Sequence, residues 1–328
     1  MWHRLQPALA LVLLAPLIAE YLLGSLSFSQ LVFFPVMALM YGAGALVVRE
    51  VTRRTGRGWP TIILLGLAYA VIEEGLATQT LFNPHYLGLH LIDRGFIPAL
   101  GIGAPWTAYV VVLHVGWSIC VPIAFTEALF AERRTAPWLR TTGFVVSGVL
   151  YFLGLALVAF GSWKKEQFLA SGTQLSVVAL LATLLVVAAF AFAGRVSRSP
   201  ATVKAAGLRP VSLGLLASAA GSVFHLVTQL GGDRLPPWLA VVIALGIPGG
   251  VIAMVRHALR SGAWTDAHTD ALMLGGLAAY GWLGFLLTVR LHGAASLPGQ
   301  LFPFTIVAVL VWRLLSRPKE NPGRETGA

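Results

Sequence analysis

The chain has 328 residues, of which 57% are hydrophobic and only 11% are charged, and its formal net charge is +10. A soluble domain carries roughly 25% charged residues, so this composition, together with a mean hydropathy of +0.79, excludes an ordinary water-soluble protein. Cys120 is the single cysteine, which excludes an intrachain disulfide.

Ten apolar segments are long enough to cross the roughly 30 Å hydrocarbon core of a bilayer as helices. They lie at 7–24, 29–49, 60–81, 105–129, 142–161, 174–194, 211–230, 237–256, 269–289 and 299–315. The sequence therefore predicts an all-α, polytopic integral membrane protein with about ten transmembrane helices. Residues 1–316 form one transmembrane domain, and the polar residues 317–328 are predicted to be a disordered cytoplasmic tail.

The positive charges are distributed unevenly between the two sides of this predicted bundle. With a cytoplasmic N-terminus, 18 of the 23 Lys and Arg residues fall in cytoplasmic loops and ends, and the other five lie outside. The positive-inside rule therefore places both termini in the cytoplasm, with the chain in the plasma membrane (the inner membrane of a bacterium). Because topology accounts for the charge, membrane lipids are expected partners and nucleic acid is not.

Several ionisable residues lie at one depth inside the apolar segments. Glu73 and Glu74 are adjacent in the middle of the third segment, where a carboxylate costs several kcal/mol and marks a functional site. Counting about 1.5 Å per helical residue places Glu20, His114 and His225, from segments one, four and seven, at the same level. We therefore predict one polar layer in the outer half of the bilayer.

Polar stripes accompany both histidines. Ser118 follows His114 by one turn, and Ser222 and Gln229 share a helix face with His225. Stripes of this kind face protein or water rather than lipid. The helices predicted to build the site lie within 7–130 and 211–230.

The residue types in this layer are suited to activating water. Two neighbouring carboxylates in a low dielectric can share a proton, and a carboxylate beside an imidazole can take a proton from water that attacks a carbonyl. His and Glu also bind zinc, but neither HExxH nor His-x-x-x-Glu spacing occurs. The sequence therefore assigns no metal ligand and leaves the cofactor unknown. For Glu127, near the cytoplasmic end of segment four, an interfacial salt bridge is predicted instead.

The order of these motifs resembles the CPBP (Abi) family of glutamate-type intramembrane proteases, whose pattern is EExxxR, then FxxxH, then HxxxN or HxxxD. Here Glu73 and Glu74 are followed by Thr78 at the arginine position, His114 is preceded by Val110 at the Phe position, and Gln229 follows His225. The resemblance implies an intramembrane hydrolase in which Glu73 is the base and Glu74 supports it. It also implies that His114 and His225 orient water and stabilise the oxyanion.

Two other functions stay open at this stage. A proton-coupled secondary transporter would use Glu73 and Glu74 as its titrating site, and the GIPGG run at Gly246–Gly250 is typical of the broken helices of such proteins. A structural membrane protein would use the polar layer only to hold helices together. A membrane-embedded peptide or a small molecule is the expected substrate.

Overall fold

A computed structural model describes residues 2–193, 209–230, 235–260, 262 and 264–317. The predicted tail lies outside the described residues except for Arg317, as does most of the basic loop between the sixth and seventh segments. Within the described residues, ten helices are long and apolar enough to cross a membrane, and each overlaps one of the predicted segments. The prediction of an all-α, multi-pass membrane protein is confirmed.

The ten helices are labelled here in chain order. They are α1 (Leu5–Leu22), α2 (Phe28–Arg54), α3 (Trp59–Ala77), α4 (Ala104–Leu129), α5 (Thr141–Glu166), α6 (Gly172–Ala191), α7 (Pro210–Gln229), α8 (Pro237–Arg260), α9 (Asp266–His292) and α10 (Ala294–Leu315). Besides helices, the described chain contains one small antiparallel hairpin in the connection from α3 to α4. Its strands are β1 (Phe96–Ile97) and β2 (Ile102–Gly103).

Four helices form the centre of the bundle. Of the apolar stretch that could cross the membrane, 67% is buried inside the protein in α3 and α4 and 61% in α1 and α9, but only 11% in α8. The peripheral helices pack on this centre: α6 contacts α3, α7 contacts α9 and α8 contacts α4. Exposed leucines and valines on α5 and α6 give those helices apolar outer faces, as lipid contact requires.

Small residues allow the central helices to approach closely. A Cβ atom at Gly284 of α9 would collide with the carbonyl oxygen of Leu22 in α1, and one at Gly42 of α2 would collide with Val12 in α1. Helix packing in a membrane depends on such small residues because lipid tails are as apolar as leucine. These contacts hold α1 between α2 and α9.

A buried ion-pair cluster joins α2 to α4 at the end predicted to be cytoplasmic. Arg49 Nε and Arg53 Nε both donate to Glu127 Oε1, at 3.0 and 2.8 Å, and Arg53 Nη2 donates to Glu127 Oε2 at 2.7 Å. Arg49 Nη1 also donates to Glu50 Oε1 at 2.7 Å, and its guanidinium carbon lies 3.4 Å from the ring centre of Trp138. The predicted salt bridge of Glu127 is thus present, with partners from α2.

Candidate functional site

Wide, π-helical turns interrupt five of the described helices. They are Leu17–Leu22 in α1, Ala38–Gly42 in α2, Glu73–Ala77 in α3, His114–Cys120 in α4 and Leu226–Leu230 in α7. In the α3 turn, the N–H of Thr78 donates to the carbonyl of Glu73 at 2.9 Å, five residues back. Such turns are rare and occur frequently at functional sites. Four of the five carry residues that the sequence singled out.

The centre of the site is His114, which lies between the two adjacent carboxylates. Its Nε2 is 2.7 Å from Glu74 Oε1, and its Nδ1 is 3.3 Å from Glu73 Oε2. Ser118 Oγ lies 2.9 Å from the same Nδ1. All four residues are at most 5% exposed. The prediction that a carboxylate of the pair lies within hydrogen-bonding reach of His114 is confirmed.

The two carboxylates differ in how firmly they are held. Glu74 Oε2 accepts hydrogen bonds from Thr78 Oγ1, at 3.1 Å, and from Thr80 Oγ1. Trp106 Nε1 in turn donates to Thr80 Oγ1 at 3.1 Å. Glu73 Oε2, in contrast, is buried without a hydrogen bond of acceptable geometry to any described residue. Glu74 is therefore fixed by hydrogen bonds, whereas Glu73 Oε2 has only a close contact with His114 Nδ1 at 3.3 Å.

The chain after α3 turns sharply so that Thr80 reaches Glu74. The turn is made at Gln79, which has a φ of +56°, a left-handed conformation that is uncommon for residues other than glycine and that often occurs at functional sites. The backbone N–H of Ala170, between α5 and α6, donates to Gln79 Oε1 at 2.7 Å. The sequence predicted that the third segment continues to residue 81, whereas α3 ends at Ala77, so the turn that contains Gln79 and Thr80 was not predicted.

Glu20 is joined to the centre through aromatic rings. Tyr41 Oη donates to Glu20 Oε1 at 2.5 Å, and Ser25 Oγ donates to Glu20 Oε2 at 2.7 Å. The Tyr41 ring stacks on the His114 ring with a centroid distance of 6.0 Å, and Tyr69 lies 6.4 Å from the same ring. Glu20, predicted as a supporting residue, therefore lies beside the centre. Tyr41 and Tyr69 gave no signal in the sequence because apolar helices often contain tyrosine.

His225 lies in a different environment from that of His114. Its ring centre is 4.5 Å from that of Trp117 and 5.2 Å from that of Tyr280, and its Nδ1 is 3.5 Å from Tyr109 Oη. Gln229 Nε2 donates to the same Tyr109 hydroxyl at 2.6 Å. In the described chain, no hydrogen bond or ion pair joins His225 to Glu73 or Glu74.

The predicted single layer is therefore corrected to two groups of polar residues. Ser222, on the same helix as His225, donates to the carbonyl of Ser218 at 2.7 Å and accepts from Trp282 Nε1 at 2.9 Å. Counting depth along each helix does not predict which face of α7 meets the other helices, and that face is set by the packing of α7 on α9. The predicted catalytic role of His225 stays a prediction that these contacts do not support.

A cavity opens beside the site at the end predicted to face outward. It measures about 640 Å³ and is lined mainly by apolar side chains, among them Phe82, Ile92, Phe96 and Phe168. Phe82 follows Thr80 by two residues, so the segment that holds Glu74 also forms part of the cavity wall. The connection from α3 to α4 thus folds over this end of the bundle next to the buried centre.

The centre also contains ligand types that metal ions use. Within the described part of the chain, one group of three such residues was found, and the possible ligand atoms of Glu73, Glu74 and His114 all lie within 4.8 Å of one another. The sequence assigned no metal ligand because these residues come from two helices and have no metal-binding spacing.

The fold and the site together define a multi-pass helical membrane protein with a buried carboxylate–histidine centre. A family model described as an uncharacterized membrane protein family matches residues 9–265, and the chain belongs to that family. The matched range contains Glu73, Glu74 and His114. No curated protein and no solved structure matches the chain.

Proposed function

We propose that this integral membrane protein is a hydrolase of the plasma membrane that uses Glu73, Glu74 and His114 to activate water against the carbonyl of a membrane-embedded peptide. One observation carries the proposal: His114 is held between a fixed carboxylate and a carboxylate with a free oxygen, on π-helical turns of adjacent helices. This arrangement supplies a proton acceptor and an oriented imidazole at one point, as general base catalysis requires.

Each residue has a distinct role in this mechanism. Glu74, held by two threonines, accepts the N–H of His114 Nε2, and this hydrogen bond leaves the lone pair on Nδ1. Glu73 Oε2 and His114 Nδ1 are 3.3 Å apart, and a water molecule bound between them would face both acceptors. Glu73 takes one proton from that water, and the resulting hydroxide attacks the substrate carbonyl. As the C–N bond then breaks, Glu73 returns the proton to the departing amine.

The resemblance to the CPBP proteases supports this proposal at three positions. Glu73, Glu74 and His114 match the family's paired glutamates and its histidine on the next helix. Thr78 occupies the arginine position, and here it donates a hydrogen bond to Glu74 at 3.1 Å, so a neutral donor contacts the carboxylate directly. The third motif departs from the family, because His225 lies outside the centre.

Two observations weigh against the other functions. Helix α8 runs unbroken from Pro237 to Arg260, so the GIPGG run does not form the broken helix on which the transporter hypothesis relied. A purely structural polar layer would satisfy each buried group with hydrogen bonds between helices, whereas Glu73 Oε2 lies 3.3 Å from His114 Nδ1 without the geometry of a hydrogen bond to any described residue. Water activation gives the unpaired carboxylate oxygen a function.

The test is hydrolysis by the reconstituted full chain. Proteoliposomes would be incubated with a library of transmembrane peptides, and mass spectrometry would detect cleaved products. Glu73→Gln keeps the side-chain shape but removes the proton acceptor, so the rate should fall by about 10²- to 10⁴-fold. Glu74→Gln should cost less, because it weakens only the orientation of His114.

His225→Gln is the matched control, since it alters the other buried histidine. Retention of at least a third of the wild-type rate is expected, provided that the variant elutes as a monodisperse species. Equal rates for wild type and Glu73→Gln would refute the proposal. Proton-linked solute flux that changes with Glu73→Gln, in the absence of peptide cleavage, would favour the transporter instead.

A further inference from the structure

The carboxylate–histidine centre contains three carboxylates but only one histidine that could carry a balancing positive charge. Glu73 and Glu74 are buried in contact with the one imidazole of His114, and the partly buried Glu20 is joined to them through Tyr41. The arginines of the described chain that form ion pairs contact Glu50, Glu127, Asp266 and Asp270, and none of them pairs with these three carboxylates. Buried carboxylates are stable only when they are paired, protonated or bound to a metal. The centre is thus suited to bind a cation.

The hydrogen bonds of His114 point to where that cation would lie. A metal-bound histidine almost always donates its other ring N–H to a carboxylate or carbonyl, which fixes the tautomer. Here Nε2 makes that bond to Glu74 Oε1 at 2.7 Å, and Glu74 is itself held by Thr78 and Thr80. Nδ1 is therefore the nitrogen whose lone pair remains for a metal.

The free oxygen of Glu73 lies at the right distance to be a second ligand. Zinc binds nitrogen and oxygen at about 2.0–2.1 Å in tetrahedral geometry, which separates two ligand atoms by about 3.3 Å. Glu73 Oε2 is 3.3 Å from His114 Nδ1, it is buried, and its geometry to that nitrogen is not that of a hydrogen bond. The two atoms therefore match two corners of a tetrahedral site.

Further oxygen atoms surround the same point. Ser118 Oγ lies 2.9 Å from His114 Nδ1, and a hydroxyl can rotate to release the nitrogen and offer its oxygen. Tyr69 Oη is buried beside the Glu73 carboxylate and interacts with it, and it has no hydrogen bond to any other described residue. Ser118 Oγ and a bound water are the further ligands that a tetrahedral site would need.

We propose that Glu73 Oε2 and His114 Nδ1 bind one divalent transition-metal ion, with Glu74 as the outer partner that orients the imidazole. The mixture of one imidazole and oxygen ligands fits Zn²⁺, with Mn²⁺ and Fe²⁺ as weaker competitors by the general order of affinities. This inference rests on the proposed hydrolase function for the role of the ion. With Glu73 Oε2 and His114 Nδ1 as its ligands, the ion would take the place of these two atoms as the group that holds the attacking water, and it would acidify that water itself. Binding itself can be measured without any substrate.

The experiment uses Zn²⁺ alone as the probe. The full chain in detergent micelles is stripped with EDTA, loaded with Zn²⁺, passed over a desalting column and analysed by mass spectrometry for bound metal. We expect one Zn²⁺ per wild-type chain and less than a tenth of that in Glu73→Gln and in His114→Gln. Glu74→Gln should still bind, with an affinity lower by about 10- to 100-fold. His225→Gln should bind as the wild type does.

A second measurement covers the case in which a variant does not fold. Co²⁺ loaded into the stripped wild type should show the intense visible absorption of a tetrahedral site, and Zn²⁺ should displace it. Wild type that binds no Zn²⁺, or folded Glu73→Gln that binds as much as wild type, would overturn the metal site. Peptide cleavage unaffected by EDTA would support the hydrolase and reject the ion, whereas stoichiometric Zn²⁺ without cleavage would support the ion and reject the hydrolase.

Discussion

Removal of Glu127, the one acidic residue of α4, should destabilise the bundle strongly. Its carboxylate accepts from Arg49 Nε and from Arg53 Nε and Nη2 at 2.7–3.0 Å. Arg49 would keep Glu50 as a partner, but Arg53 would lose its only carboxylate among the described residues. Breaking a buried pair by removal of one partner costs about 3–5 kcal/mol, because the other charge remains buried. We expect that loss for Glu127→Ala.

The assay is reversible unfolding by SDS in mixed micelles, followed by tryptophan fluorescence. Glu132→Ala is the matched control: Glu132 lies on the neighbouring connection, is exposed and forms no ion pair with a described residue, so its change should stay within about 0.5 kcal/mol. Glu127→Gln should fall between the two, because its amide oxygen still accepts one bond. If Glu127→Ala and Glu132→Ala unfold at the same SDS fraction, the cluster contributes no stability and this argument fails.

Two further predictions concern packing and topology. Gly75→Ala should lower the thermal stability and the Zn²⁺ affinity, because its Cβ would lie 2.7 Å from Val178 Cγ1 on α6. Adding Val178→Ala in the same chain should restore both properties. If the double variant does not recover them, the contact does not position Glu74. In a Cys120→Ala background, Leu89→Cys should react with a membrane-impermeant thiol reagent on intact cells and Glu132→Cys only after permeabilisation, as the positive-inside rule requires. The reverse labelling pattern would invert the topology.

The ten spans could be predicted from the sequence because the cost of placing a residue in lipid depends mainly on that residue and its neighbours along the chain. The same cost identified Glu73 and Glu74 as candidate site residues, since a carboxylate in an apolar segment is unfavourable in lipid wherever that helix lies in the bundle. Depth could also be counted, because helical rise is constant. That count placed Glu20 and His114 correctly beside the pair.

Which faces of the helices meet was decided only by the tertiary structure. Rotation of a helix about its axis changes neither its hydropathy nor the depth of its residues, so hydropathy and depth provide no reason to separate His225 from His114. The contacts of α7 with α9 and with Trp117 place His225 among aromatic rings. The packing of α3 on α4 brings Glu73, Glu74 and His114 together. The roles of Thr80 and Gln79 depend on a turn that follows Ala77, inside the segment that hydropathy predicted to be helical to residue 81. The sequence by itself determined that lipid is the solvent, where the helices lie and which carboxylates lie within them. The packing of the bundle determined which histidine contacts these carboxylates. A helix can pack in several orientations, and its own sequence does not select one of them.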